Sequence, residues 1–240
     1  MRLLLTLQYL GTRYAGWQWQ ANALSVQQVV TEALERMFGA PVKVEGAGRT
    51  DAGVHALAQR AHADVPFEIP TRGFLLGINN LLPHDIRVTA SETVGDDFHA
   101  RFRAKSKTYA YRIWNAPVDD VFGFETQVHV AQRLDAQAMH EAAQLLVGEH
   151  DFLPFTVADP EVASTRRTIE SIAVAQEAER ITITVAADGF LRYMVRRIAG
   201  SLIEVGRGRL DLSRLFAEAR WTAPAKGLVL VEIRYNISRS

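Results

Sequence analysis

Residues 2–9 read RLLLTLQY, and the alternation of apolar residues in this segment decides how the fold begins. One side of the extended segment carries Leu3, Leu5, Leu7 and Tyr9. A period of two is typical of a β-strand with one face against a core. Residues 25–41 follow with apolar residues at helical spacing, a Ser-x-x-Gln capping pattern at the start, and Gly39 and Pro41 at the end. The chain is therefore predicted to open with a strand and a helix.

The same periodicities extend along the chain. The first half continues with short strands over 42–45 and 57–65, a helix that Thr71 caps and Pro83 ends, and a strand over 86–94. The second half is predicted to contain strands over 107–114, 166–175, 180–187 and 228–235, and helices over 134–147 and 190–205. Each half has the order βαββαβ of the ferredoxin-like unit. We predict an α+β protein with two such halves, residues 1–104 and 105–240.

The charges of the chain balance overall but are placed unevenly. The 240 residues include 27 basic and 27 acidic ones, and only four of the basic residues are lysines. Arginine binds phosphate bidentately and stacks on bases, although a GC-rich genome alone would also favour it. Residues 98–118 contain five basic residues and no acid, and residues 189–210 contain five arginines and one glutamate. Such local stretches in a neutral protein are typical of a one-sided surface for a polyanion.

The composition excludes several classes of protein. The chain has no cysteine, which rules out disulfides, cysteine nucleophiles, iron–sulfur clusters and zinc knuckles. No apolar run approaches the roughly 20 residues that span a bilayer. The first apolar residues give way to Gln8 with no small-residue cleavage site after it, so we expect no secretion signal and a cytoplasmic protein.

Residues 46–55, GAGRTDAGVH, form the stretch most indicative of chemistry. Three glycines within eight residues between two predicted strands indicate a tight loop. The loop is not a dinucleotide fingerprint, because Asp51 occupies the position of the third glycine, and it lacks the Gly-Lys-Ser/Thr of a P-loop. Two interpretations stay open: Asp51 accepts backbone N–H bonds within the loop, or it is a cleft carboxylate that a cation keeps ionised.

Further candidate residues lie in the basic stretches. Tyr109 and Tyr111 alternate in the basic strand KTYAYR, which suggests either a platform for stacking bases or two core side chains. Arg192 and Arg196 are four residues apart and share one face of the predicted helix. The seven histidines show no metal-ligand spacing together with suitable carboxylates, so we predict no metal site.

Taken together, these segments resemble a known family. Residues 47–55 are similar to the signature of the tRNA pseudouridine synthase A (TruA) family. Four more segments resemble its other motifs in the same order: residues 11–18 (GTRYAGWQ), 98–111 (FHARF and KTYAY), 190–196 (FLRYMVR) and 223–228 (APAKGL). One departure is Leu10, where the family usually has an aspartate before Gly-Thr.

The resemblance implies a cofactor-free isomerase that converts uridine to pseudouridine at positions 38, 39 and 40 of the tRNA anticodon arm. By position, Asp51 would be the essential aspartate of the first half and Arg49 would help the target nucleotide leave its stack. In the second half, Tyr109 would stack on the flipped base and Arg196 would pair with Asp51. The family also implies the pseudouridine synthase fold, in which the antiparallel sheets of the two halves are joined, and a homodimer with each tRNA across both subunits. The basic residues expected to contact RNA are Arg101, Arg103, Lys105, Lys107, Arg192 and Arg197.

Several alternatives stay open from the sequence. Asp51 could trap positive charge at C1′, remove the C2′ proton to give a glycal, or attack the uracil ring. Either Tyr109 or Asp51 could accept the proton from C5. The chain could also be a non-catalytic RNA-binding module. A hydrolytic nucleoside glycosidase would need a second carboxylate, for which the candidates are the pairs Asp96–Asp97 and Asp119–Asp120.

Overall fold

The computed structural model describes residues 1–157 and 162–235. These residues form two compact units, one made of Met1–Lys105 and the chain from Leu230 onward, the other of Ser106–Val229. Each unit packs helices on a mainly antiparallel sheet, so the α+β class is confirmed. Among the described residues, no helix is both long enough and apolar enough to cross a membrane.

The first unit has the predicted order of elements. They are β1 (Arg2–Tyr9), α1 (Val26–Phe38), β2 (Lys43–Gly46), β3 (His55–Asp64), α2 (Thr71–Leu81) and β4 (Ile86–Val94). The strand order is β4–β1–β3–β2, with every pair antiparallel. The central strand β1 buries Leu4 as well as the alternating set predicted from the sequence, because its second face is also covered. The βαββαβ prediction for this half is confirmed.

The helix ends of the first unit follow from local chemistry. The hydroxyl of Ser25 accepts the N–H of Gln28 at 3.2 Å, and α1 ends at Gly39, which is left-handed with φ 65°. Only this half of the predicted capping box forms, and the side-chain amide nitrogen of Gln28 donates to Glu32 at 2.9 Å. The prediction that Thr71 caps α2 is wrong by one residue, since the extended Pro70 precedes the first turn and Thr71 is already helical.

The second unit repeats the pattern with two extra short strands. Its elements are β5 (Ala104–Trp114), β6 (Val128–His129), α3 (Ala136–Gln144), β7 (Gly148–Asp151), β8 (Arg166–Glu177), β9 (Arg180–Ala187), α4 (Met194–Gly206) and β10 (Leu228–Tyr235). The strand order is β5–β9–β8–β7, and β6 pairs in parallel with the end of β5. From Leu230 onward, β10 belongs to the first unit, where it lies beside β3.

The prediction of a helix from residue 190 is wrong for its first turn. α4 begins at Met194, because Tyr193 has φ 62° and ψ 0°, a left-handed conformation that cannot continue into a right-handed helix. Met194 N–H closes a turn onto the carbonyl of Leu191 at 3.1 Å. Arg192 therefore precedes α4, and the expectation that it shares a helix face with Arg196 is also wrong.

The loop that contains Asp51 lies against the segment that follows β1. We call residues 47–54 the aspartate loop and residues 10–18 the opening segment. Trp17 N–H donates to the carbonyl of Thr50 at 3.1 Å, and Gly53 N–H donates to the carbonyl of Tyr14 at 3.3 Å. Gly16 has φ 93°, and a Cβ there would lie 2.4 Å from the Thr50 oxygen. Only glycine allows the two backbones to approach this closely.

The opening segment is anchored at its other side by Asp85. The carboxylate of Asp85 accepts both the Nε (2.9 Å) and the Nη2 (2.6 Å) of Arg13, and the hydroxyl of Tyr14 at 2.8 Å. Burial alone would raise the pKa of Asp85, but the hydrogen bonds from Arg13 and Tyr14 outweigh burial and hold this pKa below its usual value. Burial and the bond to Asp85 raise the pKa of Tyr14 to about 12. The pair therefore consists of a carboxylate and a neutral phenol at neutral pH.

We expect Gly16→Ala to lower the free energy of unfolding by about 2–4 kcal/mol, since it combines left-handed strain with a clash against backbone. Gly39→Ala is the matched control, because Gly39 is also left-handed but a Cβ there meets nothing within 4 Å. Its expected loss is about 1 kcal/mol. Urea denaturation of both variants measures the difference, and equal losses would contradict a tight contact at Gly16.

We expect Asp85→Asn to lower the free energy of unfolding by about 1–2 kcal/mol at pH 7. Because the folded pKa lies below the unfolded one, this stabilisation is complete above an unfolded pKa of about 3.9 and is lost as the pH falls through the folded value. The control is Asp64→Asn, which removes a more exposed carboxylate that pairs with Arg2 and should lose under about 1 kcal/mol. Urea denaturation between about pH 2 and 7 checks this prediction: the loss should be constant above about pH 3.9 and shrink below it, and a loss that does not shrink at the acid end would contradict it.

Candidate active site

The aspartate loop joins β2 to β3 and is fixed at several backbone atoms. Ala47 N–H donates to the carbonyl of Arg60 at 2.7 Å, and the amide of Gln59 donates to the carbonyl of Gly48 at 2.9 Å. At the other end, Val54 N–H donates to the main-chain carbonyl of Asp51 at 3.1 Å, and Gly53 is left-handed with φ 77°. These bonds give the loop a defined shape between two strands of the sheet.

Thr50 is the buried residue at the centre of this loop. Its hydroxyl is hydrogen-bonded to that of Tyr9 at 2.9 Å, and both side chains are almost fully buried. Burial raises the pKa of Tyr9 to about 12, against the smaller opposing effect of its hydrogen bonds to Thr50 and Gln59. Tyr9 is therefore a neutral phenol over the working pH range and holds the residue next to Asp51 through an uncharged hydrogen bond.

The residues on either side of Thr50 have more exposed side chains. Asp51 is half-buried and Arg49 is exposed, with the Nε of Arg49 donating to the side-chain oxygen of Gln18 at 3.3 Å. The structure thus presents an acid and an arginine two residues apart while the threonine between them is buried.

Three polar residues that support the loop were not identified from the sequence. His55 is buried, and its Nδ1 accepts the N–H of Gly11 at 3.0 Å, which ties the end of the loop to the opening segment. Gln59 binds the loop from β3, and Tyr9 binds it from β1. His55 ends the motif at residues 46–55 but was given no role there, Gln59 follows no motif spacing, and Tyr9 reads as one more apolar residue of its strand. The only sign of such a supporting role in the sequence is a polar side chain at a strand position that the apolar pattern places in the core.

In the second unit, both tyrosines of β5 are buried, and Tyr111 is buried more completely than Tyr109. Tyr111 is fully buried, donates its hydroxyl to the carbonyl of Pro224 at 2.8 Å, and packs so closely that a Cβ on Gly227 would lie 2.7 Å from its ring. Of the two interpretations of these tyrosines, packing in the core is therefore confirmed for Tyr111. Tyr109 is 6% exposed and meets Phe190 at a centroid distance of 5.2 Å with perpendicular rings.

The start of α4 brings two arginines to one aromatic ring. The Cζ atoms of Arg192 and Arg196 lie 5.1 Å and 5.0 Å from the ring centroid of Tyr193. The Nε of Arg196 donates to the carbonyl of Ala223 at 2.9 Å, and the N–H of Ala223 donates to the carbonyl of Arg196 at 3.0 Å. Arg196 is thus held by the segment 223–228, another of the motifs noted in the sequence.

The remaining basic candidates differ in their exposure and in the contacts that they make with other residues of the protein. Arg101 and Lys105 are exposed, Lys107 is half-buried, and the exposed Arg103 pairs with Asp97 at 2.6 Å. Arg197 has a structural role. Its Nη1 donates to the carbonyls of Pro154 (3.1 Å) and Thr156 (2.6 Å).

One cluster of potential metal ligands lies away from the aspartate loop. Glu45, His62 and His99 come from separate segments, and a ligand atom of each lies within 4.8 Å of the others, which the spacing argument could not detect. The Nδ1 of His62 accepts the N–H of Ala100, and the Nδ1 of His99 accepts the N–H of Arg101. The neutral rings therefore carry their protons on Nε2, and that of His99 donates to Glu45 at 2.9 Å. A protonated nitrogen cannot ligate a metal, so the bonds favour a hydrogen-bonded cluster.

Sequence comparisons agree with the motifs. A family model described as tRNA pseudouridine synthase matches residues 6–103 and 142–236. A protein of Ruminiclostridium cellulolyticum named tRNA pseudouridine synthase A is 44% identical over 98% of this chain and 99% of its own. Proteins with the same name from Syntrophotalea carbinolica and Myxococcus xanthus are each 42% identical, over 96% and 98% of this chain and 95% and 92% of theirs. With matches over nearly its whole length, this chain belongs to the tRNA pseudouridine synthase family, among the relatives named tRNA pseudouridine synthase A.

Proposed function

We propose that this chain isomerises uridine to pseudouridine at positions 38, 39 and 40 of the tRNA anticodon arm, with Asp51 as the catalytic carboxylate. The observation that carries the proposal is the half-buried carboxylate of Asp51 on a loop fixed by buried hydrogen bonds at Thr50 and Gly48. The match to relatives named tRNA pseudouridine synthase A supplies the reaction and the class of substrate.

The reaction is an isomerisation that needs no cofactor for its atom balance. The C1′–N1 bond breaks, the uracil turns over, and a C1′–C5 bond forms. The proton on C5 leaves, and N1 gains a proton. Positive charge develops at C1′ as the first bond breaks, and a nearby carboxylate can stabilise or trap it. Asp51 supplies such a group, and it could equally remove the C2′ proton or attack the ring.

The other roles concern access to the base and the charge of Asp51. Removing the uridine from its stack costs a few kcal/mol, and stacking on an aromatic ring returns about 1–3 kcal/mol. We assign this stacking to Tyr109 and the opening of the stack to Arg49. Pairing with Arg196 would keep Asp51 ionised, because a desolvated and unpaired carboxylate tends to take up a proton.

We further propose that tRNA phosphates contact basic residues of both units. Arg101, Arg103 and Lys105 would serve in the first unit, and Lys107 and Arg192 in the second. Arg197 would contribute mainly through its two carbonyl contacts, which order the segment before residue 157. On this proposal residues 1–104 supply the catalytic loop, residues 105–240 supply the stacking tyrosine and the basic helix, and the active form is a cytoplasmic homodimer.

Local contacts favour an isomerase over a hydrolytic glycosidase. A glycosidase needs a second carboxylate at the reacting bond. Asp96 and Asp97 are exposed, and Asp97 pairs with Arg103. Asp120 accepts the amide of Gln127 at 2.8 Å and orders its own loop. Asp97 and Asp120 are therefore each engaged by another side chain of the protein.

We expect Asp51→Asn to lower the single-turnover rate of tritium release from tRNA labelled at uracil C5 by at least about 1,000-fold. The amide keeps the size of the side chain but removes the charge and the basicity that the reaction needs. tRNA binding should stay within about threefold, since phosphate contacts dominate affinity.

The control for this experiment is Asp64→Asn, which removes an acid of the first unit that pairs with Arg2. It should release tritium at the wild-type rate. Tight tRNA binding by the wild type without tritium release would support a binding module instead. Release of free uracil would support a glycosidase, and full turnover by Asp51→Asn would remove the proposed role of Asp51.

We expect Arg101→Ala to weaken tRNA binding by a similar factor for different tRNAs and to reduce the slope of log K against log salt by about 0.7–0.9. The reason is that one phosphate contact releases about one counterion. Arg166→Ala is the control, since Arg166 is similarly exposed but pairs with Glu149 outside the basic stretches. Filter binding between 50 and 300 mM salt measures both slopes, and equal slopes for Arg101→Ala and wild type would count against the contact.

A further inference from the structure

Tyr193 has a backbone conformation that its place in the fold does not require. Among the described residues, only Ala178 and Tyr193 are non-glycine residues with positive φ, at 53° and 62°. Ala178 lies in the turn between β8 and β9, where such angles are common. Tyr193 is the residue before α4, a position that usually carries an extended Ser, Thr, Asp or Asn, and its side chain makes no capping bond.

A strained bulky residue persists only where its surroundings impose the strain, and such residues cluster at functional sites. At Tyr193 the left-handed angle ends the preceding turn and starts the helix, so that the tyrosine ring lies beside both Arg192 and Arg196. In a regular helix over 190–205, these two arginines would be like-charged neighbours four residues apart. The observed conformation places an aromatic ring within 5.1 Å of both guanidinium carbons.

The ring adds a second restraint to Arg196. The hydrogen bond from its Nε to the carbonyl of Ala223 fixes one point of the guanidinium. This bond by itself leaves rotation of the group about that point unrestricted. Contact with the face of an aromatic ring restricts that rotation, because the ring quadrupole attracts the cation only over its face. The two contacts together define the position of the guanidinium plane.

We propose that Tyr193 is a positioning residue for the reaction, whose ring holds Arg196 in the orientation that serves the catalytic carboxylate. This inference rests on the proposed pairing of Arg196 with Asp51. The working part of Tyr193 is its aromatic face. The hydroxyl lies 3.5 Å from the Nη2 of Arg192, a marginal distance for a hydrogen bond, and is dispensable.

The test compares Tyr193→Asn, Tyr193→Gly and Tyr193→Phe with the wild type in single-turnover pseudouridine formation, tRNA binding and thermal melting. Asparagine and glycine accept the left-handed conformation but lack the ring, whereas phenylalanine keeps the ring. Losing the cation–π contact should slow the Asn and Gly variants by about 10-fold, leave tRNA Kd within about threefold, and leave Phe within about threefold of wild type. Ala178→Gly is the matched control, since it relaxes the other left-handed residue, and should keep the wild-type rate.

Each outcome decides between the proposal and its alternatives. Slow Asn and Gly variants that melt at or above the wild-type temperature, together with an active Phe variant, support a positioning role. A wild-type rate in the Asn variant, or a rate loss that follows the loss of melting temperature, would assign Tyr193 to structure alone. A Phe variant as slow as Asn would move the role to the hydroxyl and overturn the assignment to the ring. Failure of the wild type to form pseudouridine would overturn the proposed function itself.

Discussion

The approach of the opening segment to the carbonyl of Thr50 is the contact on which the structure around the aspartate loop depends. Gly16 permits it, because any side chain there would overlap the Thr50 oxygen. Asp85 holds the opening segment through its hydrogen bonds with Arg13 and Tyr14, and the hydroxyl of Tyr9 is hydrogen-bonded to that of Thr50. While the side chain of Thr50 is buried, those of its neighbours Arg49 and Asp51 lie on the more exposed side of the loop. The position of the carboxylate is therefore a consequence of backbone packing.

Most of the fold could be predicted from the sequence, because in most segments the spacing of the apolar residues agrees with the residues that typically begin and end helices and strands. The alternation over residues 2–9 and the stop at Gly39 both reflect local rules, and the bounds of β1 and α1 follow them. The failures lie where tertiary contacts override the local pattern. The apolar period over 190–205 indicates one helix, but the strained Tyr193 delays its start by four residues. The short strands β6 and β7 have too few residues to show any period.

The site was predictable only to the extent that a motif carries it. Asp51 and Arg49 follow from the glycine-rich loop, yet the residues that fix this loop come from distant strands and have no common spacing. Tyr111 has the same pattern as Tyr109 in sequence, and only its packing against Gly227 shows that it is core. The cluster of Glu45, His62 and His99 likewise forms from segments far apart in the chain, and hydrogen-bond directions, which no sequence shows, decide its chemistry. Charge placement predicts a basic surface, but it cannot show which arginines donate hydrogen bonds to carbonyls of the protein, as Arg197 does.

The most direct test of the account is the identity of the product. An unmodified tRNA transcript is incubated with wild-type protein or with Asp51→Asn, and each uridine of the anticodon arm is then mapped by carbodiimide modification and primer extension. The account predicts pseudouridine at one or more of positions 38, 39 and 40 with the wild type, an intact RNA chain, and no conversion with Asp51→Asn. Unchanged uridine at all three positions with a folded, tRNA-binding wild type, or abasic sites in place of pseudouridine, would contradict it.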